Sequence, residues 1–162
     1  QVSVLKTRNI TIMPLPNFPI IRDLVVDMEP FFDKWKAVKP YYMPKPECDE
    51  PATVKPDSNE REFIDDMLDC ISCGCCYSAC SMVATNSDYL GPAALNRAYT
   101  LIADKRDAIR VERLKAVDRS YGVWRCHTQF NCAEVCPKDI VPTRSIQNLK
   151  QRCVMKKFGI FK

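Results

Sequence analysis

The 162-residue sequence is poor in several things, and each scarcity narrows what it can do. It has four glycines against twelve prolines, so stiff connectors are expected in place of flexible ones. It has no run approaching the roughly 20 consecutive apolar residues of a membrane span, so the chain itself is not expected to cross a bilayer. It has little net charge, 24 basic against 20 acidic residues for a formal +4, which does not suggest nucleic acid as a partner. It has one histidine, His127. No secretory leader is expected at its start. The length suits one domain, or one domain with an appendage, and an apolar content of 46% is that of an ordinary globular core.

What the chain does have is ten cysteines, and seven of them fall into two runs of one template. Cys70, Cys73, Cys76 and Cys80 read C-x2-C-x2-C-x3-C. Cys126, Gln129, Cys132 and Cys136 repeat it, followed by Pro137, with glutamine in place of the second cysteine. This is the spacing of two-cluster ferredoxins, in which the fourth cysteine of each run ligates the other run's cluster. Applied here, Cys70, Cys73, Cys76 and Cys136 supply the four thiolates of a 4Fe-4S cluster. Cys80, Cys126 and Cys132 supply three. An amide oxygen is a poor ligand for iron beside soft thiolates, so the corner at Gln129 is expected to lack its iron and the second cluster to be 3Fe-4S. Cluster type is a main control on potential across roughly −700 to +450 mV, so the two centres are expected to differ and to give electron flow a direction.

Paired C-x2-C motifs also read as zinc knuckles, but two complete templates leave surplus cysteines that a zinc site does not explain. Disulfides are disfavoured by the tight spacing, with Cys75 and Cys76 adjacent. Cysteine-ligated clusters fit a reducing compartment, cytoplasm or mitochondrial matrix. Cys75, Cys48 and Cys153 are expected to be structural, as free cysteine behaves as a small hydrophobe.

The periodicity predicts a mainly α-helical chain. Val2 to Ile21 alternate and carry Pro14, Pro16 and Pro19, which reads as a short strand and an extended segment that need a sheet this chain does not supply. Asp23 to Lys39 reads as helix, with Asp23 as N-cap and a break at Pro30. Five prolines from Pro40 to Pro56 mark a connector. A helix past Ser58 presents Phe63, Ile64, Met67 and Leu68. Pro92 opens a helix with Leu95, Ala98, Tyr99 and Ile102 on one face. Arg110 to Asp118 presents Val111, Leu114 and Val117, and Pro142 opens a last helix with Ile146, Leu149 and Cys153. From Ile140 onward Arg144, Lys150, Arg152, Lys156, Lys157 and Lys162 stand without an acid, whereas Asp57 to Asp69 is dominated by acids. The basic stretch reads equally as a surface for anionic lipid or as cations favoured by helix C-terminal carbonyls. The apolar tail from Phe158 to Phe161 reads as a partner contact or as a cap on the core.

Four segments together resemble the iron-sulfur subunit of the succinate dehydrogenase and fumarate reductase family, respiratory complex II. They are Asn17 to Met28, Cys70 to Cys80, Tyr89-Leu-Gly-Pro-Ala-Ala94, and Cys126 to Cys132 with Cys136-Pro137, and the likeness runs from about Ile10 to Lys157. The resemblance implies an α-helical ferredoxin domain with the two clusters on the cysteines named above. It implies an electron-transfer subunit of a succinate:quinone or quinol:fumarate oxidoreductase, set between a flavoprotein that carries FAD and the dicarboxylate chemistry and a membrane anchor where quinone reacts. The subunit would lie peripherally on the inner face of a respiratory membrane, the matrix side of the mitochondrial inner membrane or the prokaryotic cytoplasmic membrane. His127 matches a family residue near the quinone, with Gln129 and Thr85 in the same vicinity.

Three departures from the family stand out. Only Cys48 precedes Cys70, so the plant-type ferredoxin half with its 2Fe-2S cluster is expected on a separate polypeptide or missing from this chain. Residues 1–21 then read as a strand remnant and extended segment completing that partner half, 22–57 as helix and proline-rich connector, and 58–162 as the two-cluster domain. Ser81 stands where the family usually has proline, and Thr85 where many members have a quinone-bonding tryptophan. The rival subunit of heterodisulfide-type or glycolate-type reductases usually keeps both cysteine runs complete, so Gln129 counts against it. A non-catalytic zinc-bound assembly protein is the rival of another class.

Overall fold

A computed structural model describes residues 11–46 and 53–160. The strand expected near Val2 and the residue Cys48 lie outside them.

The fold is mainly helical, with one small hairpin. Strands β1 (Ile20–Arg22) and β2 (Val25–Val26) pair antiparallel, Ile20 opposite Val26 and Arg22 opposite Val25. The helix expected from Asp23 therefore starts later, and α1 spans Glu29–Ala37. Asp23 takes a left-handed φ of 50°, which a short polar side chain tolerates in a tight turn between β-branched residues. Pro30 falls in the first turn of α1, where its missing N–H costs nothing, so it opens the helix where a break was expected.

Helix α2 (Asn59–Leu68) is capped by Ser58, whose Oγ accepts from Arg61 N at 3.3 Å. It buries Ile64 and Met67, while Leu68, expected on the same face, is 41% exposed. Three short helices follow the cysteines: α3 (Cys75–Ser78), α4 (Ser81–Thr85) and, later, α7 (Asn131–Glu134). The remaining helices are α5 (Gly91–Ala103), α6 (Arg110–Val117) and α8 (Pro142–Lys157). All of α5 except Arg97 and Ala103 is buried, and it packs against α8, α2, α6 and α1. Leu95, Ala98, Tyr99 and Ile102 form the expected stripe, each large apolar side chain contributing about 1.5–3 kcal/mol on burial. Ile146, Leu149 and Cys153 of α8 meet that stripe fully buried.

Polar side chains lock these layers. Asn96 Nδ2 donates to the Met67 carbonyl at 3.1 Å and its Oδ1 accepts from Ser145 Oγ at 2.7 Å, tying α2, α5 and α8 together. The proline-rich connector is held by arginines: Arg97 donates twice to the Pro40 carbonyl, at 2.8 and 3.0 Å, and Arg113 donates to the carbonyls of Val38, Lys39 and Tyr41. Arg113 is fully buried.

The segment before the hairpin packs on the helical part. Asn17 Nδ2 donates to the Ser78 carbonyl at 2.8 Å, closing the C-terminal end of α3, and Phe18 lies 5.0 Å from the Tyr77 ring and 6.0 Å from that of Phe31. At the other end stand the basic residues of α8. Lys150 donates to the Cys126 carbonyl and Arg152 to the Ile102 carbonyl at the end of α5, so two of them serve the fold. Phe158 and Ile160 are 76% and 66% exposed, so this part of the tail does not cap the core.

Candidate iron-sulfur sites

Both cysteine loops follow the same backbone path. In the first, Ser72 and Gly74 have positive φ of 54° and 77°; in the second, Thr128 and Phe130 have 62° and 63°. Each pair stands two and four residues after the first cysteine of its run. Alternating left-handed residues curl a chain so that successive backbone N–H groups line one concave side, an arrangement that suits anionic sulfur and phosphate groups. Gly74 and Phe130 are also the N-caps of α3 and α7, which carry Cys76 and Cys132 one residue past their starts. At Gly74 the left-handed backbone is combined with crowding, since a Cβ there would sit 3.0 Å from Phe18 Cζ and 3.2 Å from Met28 Cε. Phe130 meets the same backbone demand with its ring half exposed.

The two loops and helices enclose two cavities. The first is lined by Cys70, Cys73, Cys76 and Cys136, with Ala93, Asn96 and Ile140 behind them. The second is lined by Cys80, Cys126 and Cys132, with Tyr89 and Thr143 on its inner side and Ser81, His127 and Gln129 toward solvent. Each run thus sends its last cysteine to the other run's cavity. Among the described residues, no three Cys, His, Asp or Glu side chains converge closely enough to grip a single metal ion. Sulfurs spread around a volume, in place of meeting at a point, fit a polynuclear cluster better than a zinc ion. Cys75 and the buried Cys153 stand outside both linings.

The surroundings disfavour bare thiolates. Burial first, then the neighbouring Cys70 and Cys132, push the Cys76 thiol far up from its ordinary value. Burial likewise raises Cys70, Cys80 and Cys132. Backbone donors oppose this at Cys70 from Ser72 and at Cys80 from Val83 and Met82. Deprotonation of these thiols is therefore tied to the arrival of iron, whose charge replaces the lost hydration.

Hydroxyls approach the second set from the inner side. Thr143 Oγ1 lies 3.2 Å from Cys132 Sγ, and Tyr89 lines the same cavity beside Cys126. Tyr89 and Thr143 are both buried, and spacing alone did not single them out; Tyr89 stood in a segment of the family resemblance, Thr143 in none. The outer rim is arranged by α8 and α4. Thr128 Oγ1 accepts from Gln147 Nε2 at 2.7 Å, and the Ser81 hydroxyl donates to Gln129 Oε1. His127 and Gln129 are exposed on this rim. Thr85 is not in the lining: it is exposed at the end of α4, with its Oγ1 accepting from Arg125 Nη2 at 3.2 Å.

Comparison with known proteins agrees with this chemistry. Residues 66–140 match the family model of a 4Fe-4S dicluster domain. Over 87% of the chain, the sequence is 42% identical to a protein named succinate dehydrogenase iron-sulfur subunit from Coxiella burnetii, of which it covers 60%. It is 39% identical to succinate dehydrogenase [ubiquinone] iron-sulfur subunit 1, mitochondrial, of Oryza sativa subsp. japonica, of which it covers 51%. The chain thus spans about half to three-fifths of the length of these relatives. A chain of the solved Mycobacterium smegmatis Sdh1 complex in the apo form shares the fold, with a TM-score of 0.77 and 24% identity, over 90% of this chain and 62% of that one. With identities of 39–42% over most of its length, this chain is similar to succinate dehydrogenase iron-sulfur subunits.

Proposed function

We propose that this chain is the electron-relay part of a succinate:quinone or quinol:fumarate oxidoreductase. Cys70, Cys73, Cys76 and Cys136 hold a 4Fe-4S cluster, and Cys80, Cys126 and Cys132 hold a 3Fe-4S cluster. Bound there, each cluster takes up and releases one electron at a time. The observation that carries this reading is the exchange of last cysteines: Cys136 lines the cavity of the first run, and Cys80 that of the second. That exchange makes the two sites neighbours, joined through the contact of α3 with α7.

The remaining parts of the proposal follow from the family. Electrons are exchanged with a flavoprotein subunit that carries FAD and performs the dicarboxylate chemistry, by way of a 2Fe-2S centre on a plant-type ferredoxin half outside these residues. They leave or enter at a quinone held with a membrane anchor subunit. The rim of the second cavity, with His127 and Gln129 open to solvent, is the place for that exchange, and Thr85 lies beyond it on α4. Imidazole is suited to donate a hydrogen bond to a quinone oxygen and to pass a proton near neutral pH. Among the described residues no helix is long and apolar enough to cross a membrane, which is compatible with a peripheral subunit on the inner face of a respiratory membrane.

Electron paramagnetic resonance of the complex, purified without oxygen, tests the reading. An oxidised sample is expected to show a 3Fe-4S signal, and reduction is expected to add a 4Fe-4S signal. Zinc without iron or acid-labile sulfide would reject it.

A further inference from the structure

We propose that Thr143 and Tyr89 are positioning residues that raise the reduction potential of the second centre by hydrogen-bonding two of its three cysteine sulfurs. This deepens the cluster assignment proposed above and rests on it. Thr143 Oγ1 is 3.2 Å from Cys132 Sγ, and Tyr89 lines the same cavity beside Cys126. Thr143 and Tyr89 are each only 1% exposed. A sulfur bound to iron has no proton to give, so in the loaded protein both hydroxyls must donate. Burial makes these donors matter more, since no water competes for the sulfur and the effective dielectric is low.

The direction of the effect follows from charge. Reduction adds an electron that is shared onto the ligating sulfurs, so a donated hydrogen bond stabilises the reduced state more than the oxidised one. Thr143 opens α8 just after Pro142, and Tyr89 precedes α5 at Gly91, so the two longest helices of the fold carry or adjoin these donors. Electrons arriving from the first centre are thereby drawn to the second.

Midpoint potentials of both centres, measured by redox titration with paramagnetic resonance on the intact complex, test this. Thr143→Val and Tyr89→Phe keep shape and lose only a hydroxyl. Each is expected to shift the second centre's reduction equilibrium about tenfold toward the oxidised state, near 59 mV for one electron, with the first centre unchanged. Thr143→Ser is expected to restore the wild-type value. Because the hydroxyls address different cysteines, Tyr89→Phe carries the test if Thr143→Val does not assemble. Unchanged potentials with both signals present overturn this inference alone, as does an equal fall at both centres. Absence of the second signal from the wild type overturns the cluster assignment and this inference with it.

Discussion

The Ser81 hydroxyl donates to the side-chain oxygen of Gln129 across the rim of the second cavity. Gln129 stands where the first run has Cys73, and this bond turns its one possible iron ligand toward α4. The corner at Gln129 is thus short of a thiolate and has its amide oxygen already engaged. Gln129→Cys is expected to admit a fourth iron, abolish the 3Fe-4S signal of the oxidised protein and lower that centre's potential. Unchanged cluster type and potential would count against this account of the corner.

Arg113 and Asp107 form an ion pair, Nη2 to Oδ2 at 2.8 Å, with both side chains fully buried. Asp107 also accepts from the backbone N–H groups of Met43 and Ile109, so the pair fastens the connector after α1 to the start of α6. Arg113→Met alone leaves a buried carboxylate without its partner and is expected to cost about 3–5 kcal/mol. The double variant Arg113→Met with Asp107→Leu is expected to regain much of that loss. Chemical denaturation of the wild type and the two variants measures both, and limited proteolysis near Tyr41 reports release of the connector. A double variant no better than the single one would contradict the account.

The cysteine framework was legible in the sequence because ligand spacing is a local property. The three-residue period of each run and the missing member at Gln129 are read over a few residues, whereas the exchange of Cys80 and Cys136 was expected from the two-cluster ferredoxin template. Helices opened by Pro92 and Pro142 were legible for a similar reason, as proline at a first turn is a local signal. Pro30 shows the limit. Proline in a helix interior and proline at a first turn look alike when an apolar segment precedes, and the second half of the hairpin, from Asp23 to Val26, was read as helix. Arg113 and Asp107 were not legible, since nothing local distinguishes a buried charged pair from a solvated face. The same holds for Thr143, which becomes a partner of Cys132 only once α8 folds against α7.

Cys153 is fully buried on α8, and burial, followed by the charge of Asp118, pushes its thiol up to about 12. The raised value means that the folded state favours the protonated thiol. Its contribution is fully present below the ordinary value of 9.0 and is lost as pH rises through about 12. Cys153→Ala is therefore expected to melt with a shallower decline over that alkaline range than the wild type, and native Cys153 is expected to resist alkylation at pH near 8. Parallel melting curves, or ready alkylation of the native protein, would contradict this.

The central claim is that each cysteine run completes the other run's cluster, and removing the exchanged cysteines tests it most directly. Cys136→Ser, although it lies in the second run, is expected to remove or convert the 4Fe-4S signal and leave the 3Fe-4S signal in place. Cys80→Ser, in the first run, is expected to do the reverse. Loss of the 3Fe-4S signal alone from Cys136→Ser, or of the 4Fe-4S signal alone from Cys80→Ser, would contradict the account.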